Sequence, residues 1–309
     1  MKNNILLAAL ASATLLLSSV GPMGSNRALA ADPTAAPAAA TINADPALWV
    51  IKDADTSIYL FGTVHVLKDN IKWFDGGVKA AYDASQEVVL EADISDPASQ
   101  QGAMMRLAID PDGPTLSEKL GTDNAAYQSV LSGLGIPSAA FDKLEPWAAT
   151  LTLPLVSFMK SGIKLDSGVE MTLLATMKAD GKKLMTLETV EEQMGYLDAL
   201  PEAIQIAFLK STVADFPKAG PLTDEVMAVW AKGNPEALDM LLNKSMAATP
   251  QVEKVLLNDR NARWAEWVEK RMAKPGTVFM AVGAGHLAGK NSVQEKLKAK
   301  KLTATRIPS

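Results

Sequence analysis

The 309-residue chain contains no cysteine. That absence removes disulfides, thiolate zinc and iron–sulfur sites, a cysteine nucleophile and a lipid-bearing cysteine from consideration. Histidine is scarce as well: His65 and His286 carry all the imidazole available to catalysis or metal binding. Positive charge is in deficit, with 30 Lys and Arg against 35 Asp and Glu. No basic surface therefore points to nucleic acid as a partner. Beyond the first twenty residues no apolar run reaches the roughly 18 residues of a membrane-spanning helix. H-E-x-x-H and G-x-S-x-G patterns are missing, and Gly181-Lys182 lacks the flanking glycine and hydroxyl residue of a P-loop.

What is present describes an exported globular protein. Apolar residues make up 48% of the chain and charged residues 21%, a balance that suits a packed core and excludes a disordered or collagen-like chain. At the start, Lys2 precedes the apolar run from Ile5 to Leu17, followed by small and polar residues and Ala28-Leu29-Ala30. A positive start, a short apolar stretch and an A-x-A site make a secretory signal peptide over residues 1–30. Its removal takes Lys2 and Arg27 with it and moves the net charge from −5 to −7. The mature protein is expected to be exported without a membrane span, and periplasmic if the cell is Gram-negative. Residues 31–46, rich in Ala, Pro and Thr, read as a flexible lead-in, and residues 47–309 as one domain.

Within that domain, Leu48–Lys52 and Ile58–Gly62 read as a β-hairpin about Asp53-Ala54-Asp55. Further strands are expected at Val88–Glu91, Lys183–Leu187, Thr277–Val282 and Leu302–Ile307, with helices at Gly77–Ser85 and Ser292–Lys300. Residues 97–180 carry helical periodicity with breaks at Pro111, Pro114, Gly135-Ile136-Pro137 and Gly162. A second helical stretch, 190–272, is interrupted at Pro201, Pro217, Pro221, Pro235 and Pro250. The expected class is α/β: a mixed central β-sheet flanked by helices, with a large α-helical insertion between its N- and C-terminal portions.

Both histidines close the same frame. Gly62-Thr63-Val64-His65 and Gly283-Ala284-Gly285-His286 each follow a β-prone run. A glycine lets the chain turn sharply off a strand, and the imidazole three residues on can point back over the sheet edge. Glu91 and Glu188 also stand at the ends of expected strands, where open α/β sheets gather ligands. A glutamate there is costly to bury unless it is paired or ligating. His65, Glu91, Glu188 and His286 can thus share one rim. Gly283-Ala284-Gly285-His286-Leu287-Ala288 also matches a dinucleotide fingerprint, but too little chain follows for the ribose-binding acid. The methionines do not cluster as copper ligands, and Trp230, Trp264 and Trp267 read as helix packing.

Five segments stand in a fixed order: Phe61–Leu67, Leu90-Glu91-Ala92-Asp93, Leu187–Gln193, Asn258-Asp259-Arg260-Asn261 with Trp264, and Ala281–Gly289. Together they resemble the TraB/GumN family, whose relatives include the TIKI proteases, over about residues 46–309. The resemblance implies a fold shared with erythromycin-esterase and ChaN-like proteins. For the TIKI branch it implies divalent-metal-dependent proteolysis through the two GxxH histidines and a glutamate. Family positions then fall on His65, Glu91 and His286 as metal ligands, with Arg260 and Asn261 in the Asp-Arg-Asn motif. Where many relatives carry Gly-Val-Asp this chain has Gly168-Val169-Glu170, one methylene longer.

The leading expectation is a metal-dependent hydrolase, peptidase-like, using Mn²⁺, Co²⁺ or Zn²⁺. Glu188 or Glu170 would serve as base, and Arg260 would steady an oxyanion or pin a site carboxylate. Two alternatives stay open. One is a metal-independent, esterase-like hydrolase built on an imidazole and Glu91; the other is a non-catalytic protein that binds a peptide, a small molecule or haem.

Overall fold

The computed structural model describes residues 40–161, 163–164, 167–243, 246 and 249–309. The expected signal peptide, residues 31–39 of the lead-in and the break at Gly162 lie outside them. Among the described residues there are eight strands: β1 (Ile42–Asn43), β2 (Leu48–Lys52), β3 (Thr56–Thr63), β4 (Ile71–Lys72), β5 (Glu87–Leu90), β6 (Lys183–Thr186), β7 (Gly276–Gly283) and β8 (Thr305–Ile307). Six of them form one sheet in the order β6-β5-β7-β3-β2-β8. The first four of that order run parallel, and β2 runs antiparallel to both β3 and β8. The sheet is therefore mixed, as expected.

Alternation along the strands builds two apolar layers. Phe61, Phe279 and Ala281 join Trp73, Val78 and Trp230 on one face, while Ile58, Leu60, Val278, Met280 and Val282 join Trp264 and Val268 on the other. Successive side chains of a strand point to opposite faces, so a strand with both sets buried must be covered on both sides. Two further clusters hold the helical insertion together, one around Trp147, Leu151 and Phe208, the other around Tyr127, Leu131 and Leu209. Strand β6 divides the insertion into 97–179 and 190–272. Among the described residues no helix is long and apolar enough to cross a membrane.

The hairpin turn between β2 and β3 is held by Asp53, whose Oδ1 accepts from the amides of Asp55 (3.1 Å) and Thr56 (2.8 Å). That is the local bonding which makes aspartate a turn residue. Three details depart from the sequence reading. The end of the expected lead-in is tied down: β1 pairs parallel with β4, and the Asp45 amide donates to the Ala231 carbonyl at 2.8 Å. Pro221 starts no break; it sits in the first turn of the helix Ala219–Ala231, where a missing N–H is harmless. The end of the expected helical stretch, after the break at Pro250, is not one continuous α-helix but two α-helical segments, Pro250–Glu253 and Asp259–Met272, joined by a π-helical turn at Lys254–Asn258.

Candidate active site at the carboxyl ends of the parallel strands

Strands β3 and β7 are parallel neighbours in a register that pairs Gly62 with Val282 and Thr63 with Gly283. The two GxxH turns thus leave the sheet side by side, one residue out of step. A side chain at Gly62 would meet the Ala284 Cα at 3.1 Å, which is why the first of these glycines must be bare. The short 3-10 turn Ala284–Leu287 then carries His286. On the other flank of β7, β5 delivers Glu91, and β6 beyond it delivers Glu188. The Glu188 amide still donates to the Glu91 carbonyl at 2.9 Å. Strand order therefore sets the spatial order Glu188, Glu91, His286, His65. Two histidines 221 residues apart are brought to one rim, each close enough to Glu91 to interact with it when protonated.

His65 is 9% exposed, and its Nδ1 lies 2.8 Å from Glu170 Oε1. The same oxygen accepts from the Thr63 hydroxyl. Glu170 reaches this position because Gly168 packs flat against the end of β3. The Val169 amide donates to the Val64 carbonyl at 3.1 Å, and a Cβ on Gly168 would lie 2.3 Å from the His65 carbonyl oxygen. The extra methylene of Glu170 thus gives it a hold on the His65 ring. These two contacts keep its carboxyl below the usual glutamate range despite burial. The other oxygen, Oε2, is buried with no hydrogen-bond partner among the described residues.

His286 is 1% exposed, with its Nδ1 2.6 Å from Asn261 Oδ1. The Asn261 amide is itself fixed, Nδ2 donating to the Asn291 carbonyl at 2.8 Å. An amide oxygen can only accept, so Nδ1 bears the proton and Nε2 the lone pair. Nε2 lies 3.7 Å from Glu91 Oε1 and 3.3 Å from Arg260 NH1, and the ring packs against Trp264 with centroids 4.3 Å apart. Burial first, and Arg260 after it, push the imidazole down to about 3, against an attraction to Glu91 that works the other way. His286 is neutral at ordinary pH.

Arg260 is the hinge of the acidic side. It is 3% exposed, donating from NH2 to Glu91 Oε2 at 2.6 Å and from Nε to Glu188 Oε2 at 2.9 Å. NH1 reaches the Leu256 carbonyl at 3.2 Å, within the π-helical turn one residue upstream of Asp259. Such turns recur at functional sites. Burial alone would raise the Glu91 carboxyl; Arg260, the imidazoles once protonated in acid, and the Gly283 amide (2.7 Å from Oε1) outweigh it and hold Glu91 at about 2. Glu188 is bonded on all sides, by Arg260, Trp264 Nε1 (3.1 Å), Gln193 Nε2 (3.2 Å) and Tyr196 OH (3.4 Å). It is an anchor for the guanidinium, with no acceptor site left over for the proton of a water.

The sequence reading missed Thr63, Gln193, Tyr196 and Trp264. Trp264 looked like helix packing, yet its indole N–H donates into the site and Arg260 lies over its ring at 4.7 Å. Its spacing of four residues from Arg260 was the available signal, since i and i+4 share one helix face. A small pocket opens between His65, Leu90, Glu91, Ala92, Ile94, Glu170 and Gln193, with about 10 Å³ free to the centre of a water molecule, room for about one. Among the described residues no group of three or more His, Asp and Glu is arranged to hold a metal ion.

The pKa directions fix a pH dependence for the protein without added metal. His286 falls from 6.5 to about 3 on folding and Glu91 from 4.5 to about 2, so the unfolded chain binds more protons in acid. Stability is full above pH 6.5, declines first as His286 resists protonation, and declines further below 4.5 as Glu91 does. Thermal melting followed from about pH 7 to pH 3 should show a falling midpoint that begins above the carboxylate range. His286→Gln should flatten the upper part of that fall, and a wild-type midpoint unchanged down to about pH 5 would contradict the buried neutral imidazole.

Comparison with known proteins meets the same residues. The chain is 22% identical over 254 residues to the uncharacterized protein YbaP of Escherichia coli (strain K12), covering 82% of this chain and 92% of the relative. It is 23% identical over 272 residues to an uncharacterized protein of Treponema pallidum (strain Nichols), covering 82% and 80% respectively. No solved structure matches the chain at a significant level. The sequence profile of the TraB/PrgY/gumN family matches from residue 47 to residue 306. That span takes in both GxxH turns, the strand-end acids and the Arg260–Asn261 pair, and the chain belongs to the TraB/PrgY/gumN family.

Proposed function

We propose that the protein is an exported hydrolase that cleaves a carbonyl bond, a peptide amide first among the candidates, beside His65, Glu91 and His286. One observation carries this reading: each imidazole has its Nδ1 held by a side-chain oxygen, Glu170 for His65 and Asn261 for His286. That fixes Nε2 as the nitrogen through which either ring acts. The donor types, two imidazoles oriented from behind and a carboxylate, are those of a site for a divalent ion such as Mn²⁺, Co²⁺ or Zn²⁺, which would have to take the place of Arg260 NH1 at His286 Nε2. His65, His286 and Glu91 would hold the ion, which supplies a more acidic water and a polarised carbonyl. The chain's own part is positional. Glu170 and Asn261 fix the rings, Arg260 keeps Glu91 ionised, and Glu188 keeps Arg260 in the wall.

A second reading rests on Arg260 NH1, 3.3 Å from His286 Nε2. There the buried guanidinium is the cation of the site, and His65, steadied by Glu170, takes the proton from water directly. A peptide-library screen with EDTA, and with Mn²⁺, Co²⁺ or Zn²⁺ restored, separates these readings. Activity lost in EDTA and rescued by one ion supports the first, and about one bound ion should then vanish in His65→Ala and His286→Ala. Turnover indifferent to EDTA supports the second. No turnover under any condition overturns the hydrolase and leaves ligand binding, for which a Soret shift on haem titration is the direct check.

A further inference from the structure

Gln193 is the one neutral amide in the pocket wall, and its orientation is determined. It lies in the helix Val190–Asp198, whose first turn is locked by a capping box between Thr189 and Glu192. The Glu192 amide donates to Thr189 Oγ1 at 3.1 Å and the Thr189 amide to Glu192 Oε2 at 2.7 Å. Gln193 follows that turn into the interior, 6% exposed. Its Nε2 donates to Glu91 Oε2 at 3.1 Å and to Glu188 Oε2 at 3.2 Å. Reversing the amide would set a carbonyl oxygen against two carboxylates, so the NH2 end must face them.

The opposite end of that amide, Oε1, accepts no hydrogen bond among the described residues, and it is not one of the polar atoms sealed from solvent. The side chain lines the same pocket as His65 and Glu91; the remaining lining is Leu90, Ala92 and Ile94, which are apolar, and Glu170, whose unpartnered oxygen is sealed from solvent. An unpartnered acceptor that is not sealed from solvent, beside the reacting groups, selects for a donor. Buried polar groups left unmatched discriminate far more strongly than apolar walls do.

Resting on the hydrolase reading above, we propose that Gln193 Oε1 receives the N–H of the scissile group, so that the site takes amides in preference to esters. In the reaction, water oxygen bonds to the carbonyl carbon and the C–N bond breaks. The nitrogen leaves as an amine carrying its original hydrogen and a proton that came from the water. As that nitrogen loses conjugation its N–H stays in the grip of Gln193, which places the bond to be broken. An ester oxygen offers no such hydrogen.

Two small probes test this without needing turnover. N-acetyl-alanine methylamide and N-acetyl-alanine methyl ester differ in a single N–H. Their binding is followed by NMR at the Gln193 side-chain amide in the full protein. The amide is expected to shift that resonance and to bind about tenfold tighter than the ester, the worth of one matched hydrogen bond to a neutral group. Gln193→Met, which keeps the length and apolar body, should erase the preference between the two probes. Equal binding of the two probes, no binding of either, or a preference that survives in Gln193→Met overturns the proposal. Amide preference without hydrolysis in the library screen would uphold this inference and reject the hydrolase.

Discussion

Replacing Arg260 with methionine is expected to remove about 3–5 kcal/mol of folding stability, the usual cost of stranding a buried partner charge. Two carboxylates depend on this one guanidinium: Glu188, with 3% of its side chain exposed, and Glu91, with 15%. Of their remaining donors, Gln193, Trp264, Tyr196 and the Gly283 amide satisfy hydrogen bonds but bring no charge. Only the half-exposed Arg263, its NH2 3.4 Å from Glu188 Oε1, adds a second cation. Without Arg260 the Glu91 carboxyl shifts upward, and the penalty is felt while it is ionised. The deficit measured by urea denaturation should therefore shrink as pH is lowered from about 7 to about 5. Adding Glu188→Gln should restore part of the loss, since it removes a buried charge left with only the half-exposed Arg263 as a partner. Arg260→Lys keeps the charge but loses the fork that spans both acids, and falls between. A methionine variant as stable as the wild type would mean that Glu91 and Glu188 do not need the cation.

The second large effect concerns His65. In the hydrolase reading, His65→Ala should lower turnover of a peptide found in the library screen by about 10²–10⁴-fold, the range for losing a positioned proton-transfer group. Glu170→Gln should give a smaller loss, because the amide still meets the ring but no longer favours its charged form. Far-UV circular dichroism and urea midpoints establish that both variants are folded. A His65→Ala protein that keeps more than about a tenth of its activity would place the chemistry elsewhere.

Much of this site was legible before any coordinates. The two GxxH frames were readable because glycine after a strand is a local signal, and a parallel pairing of the two strands turns that coincidence of pattern into proximity. Glu91 was readable from an acid ending an apolar run. What could not be read depends on contacts between distant segments. Glu170 serves His65 only because Gly168 packs against the end of β3, and no periodicity within either segment announces that. Trp264 shows the opposite difficulty. An indole on the buried face of a helix looks the same in sequence whether its N–H is idle or bonded to an acid. Strands β1 and β4, at two residues each, are too short to carry an alternation. The π-helical turn ahead of Asp259 has no compositional mark.

The position of β7 has a consequence for how the protein comes into being. It is the next-to-last strand in the chain, yet it lies in the middle of the sheet, between β5 and β3. While the polypeptide is being synthesised, those two earlier strands have nothing to pair with on their inner edges until Gly276–Gly283 has emerged. Pairings so far apart in sequence form late and slowly, and unpaired edges invite association with other chains in the interval. A growing chain therefore carries its first imidazole long before the second arrives beside it. Any activity this site has would begin only with the finished polypeptide.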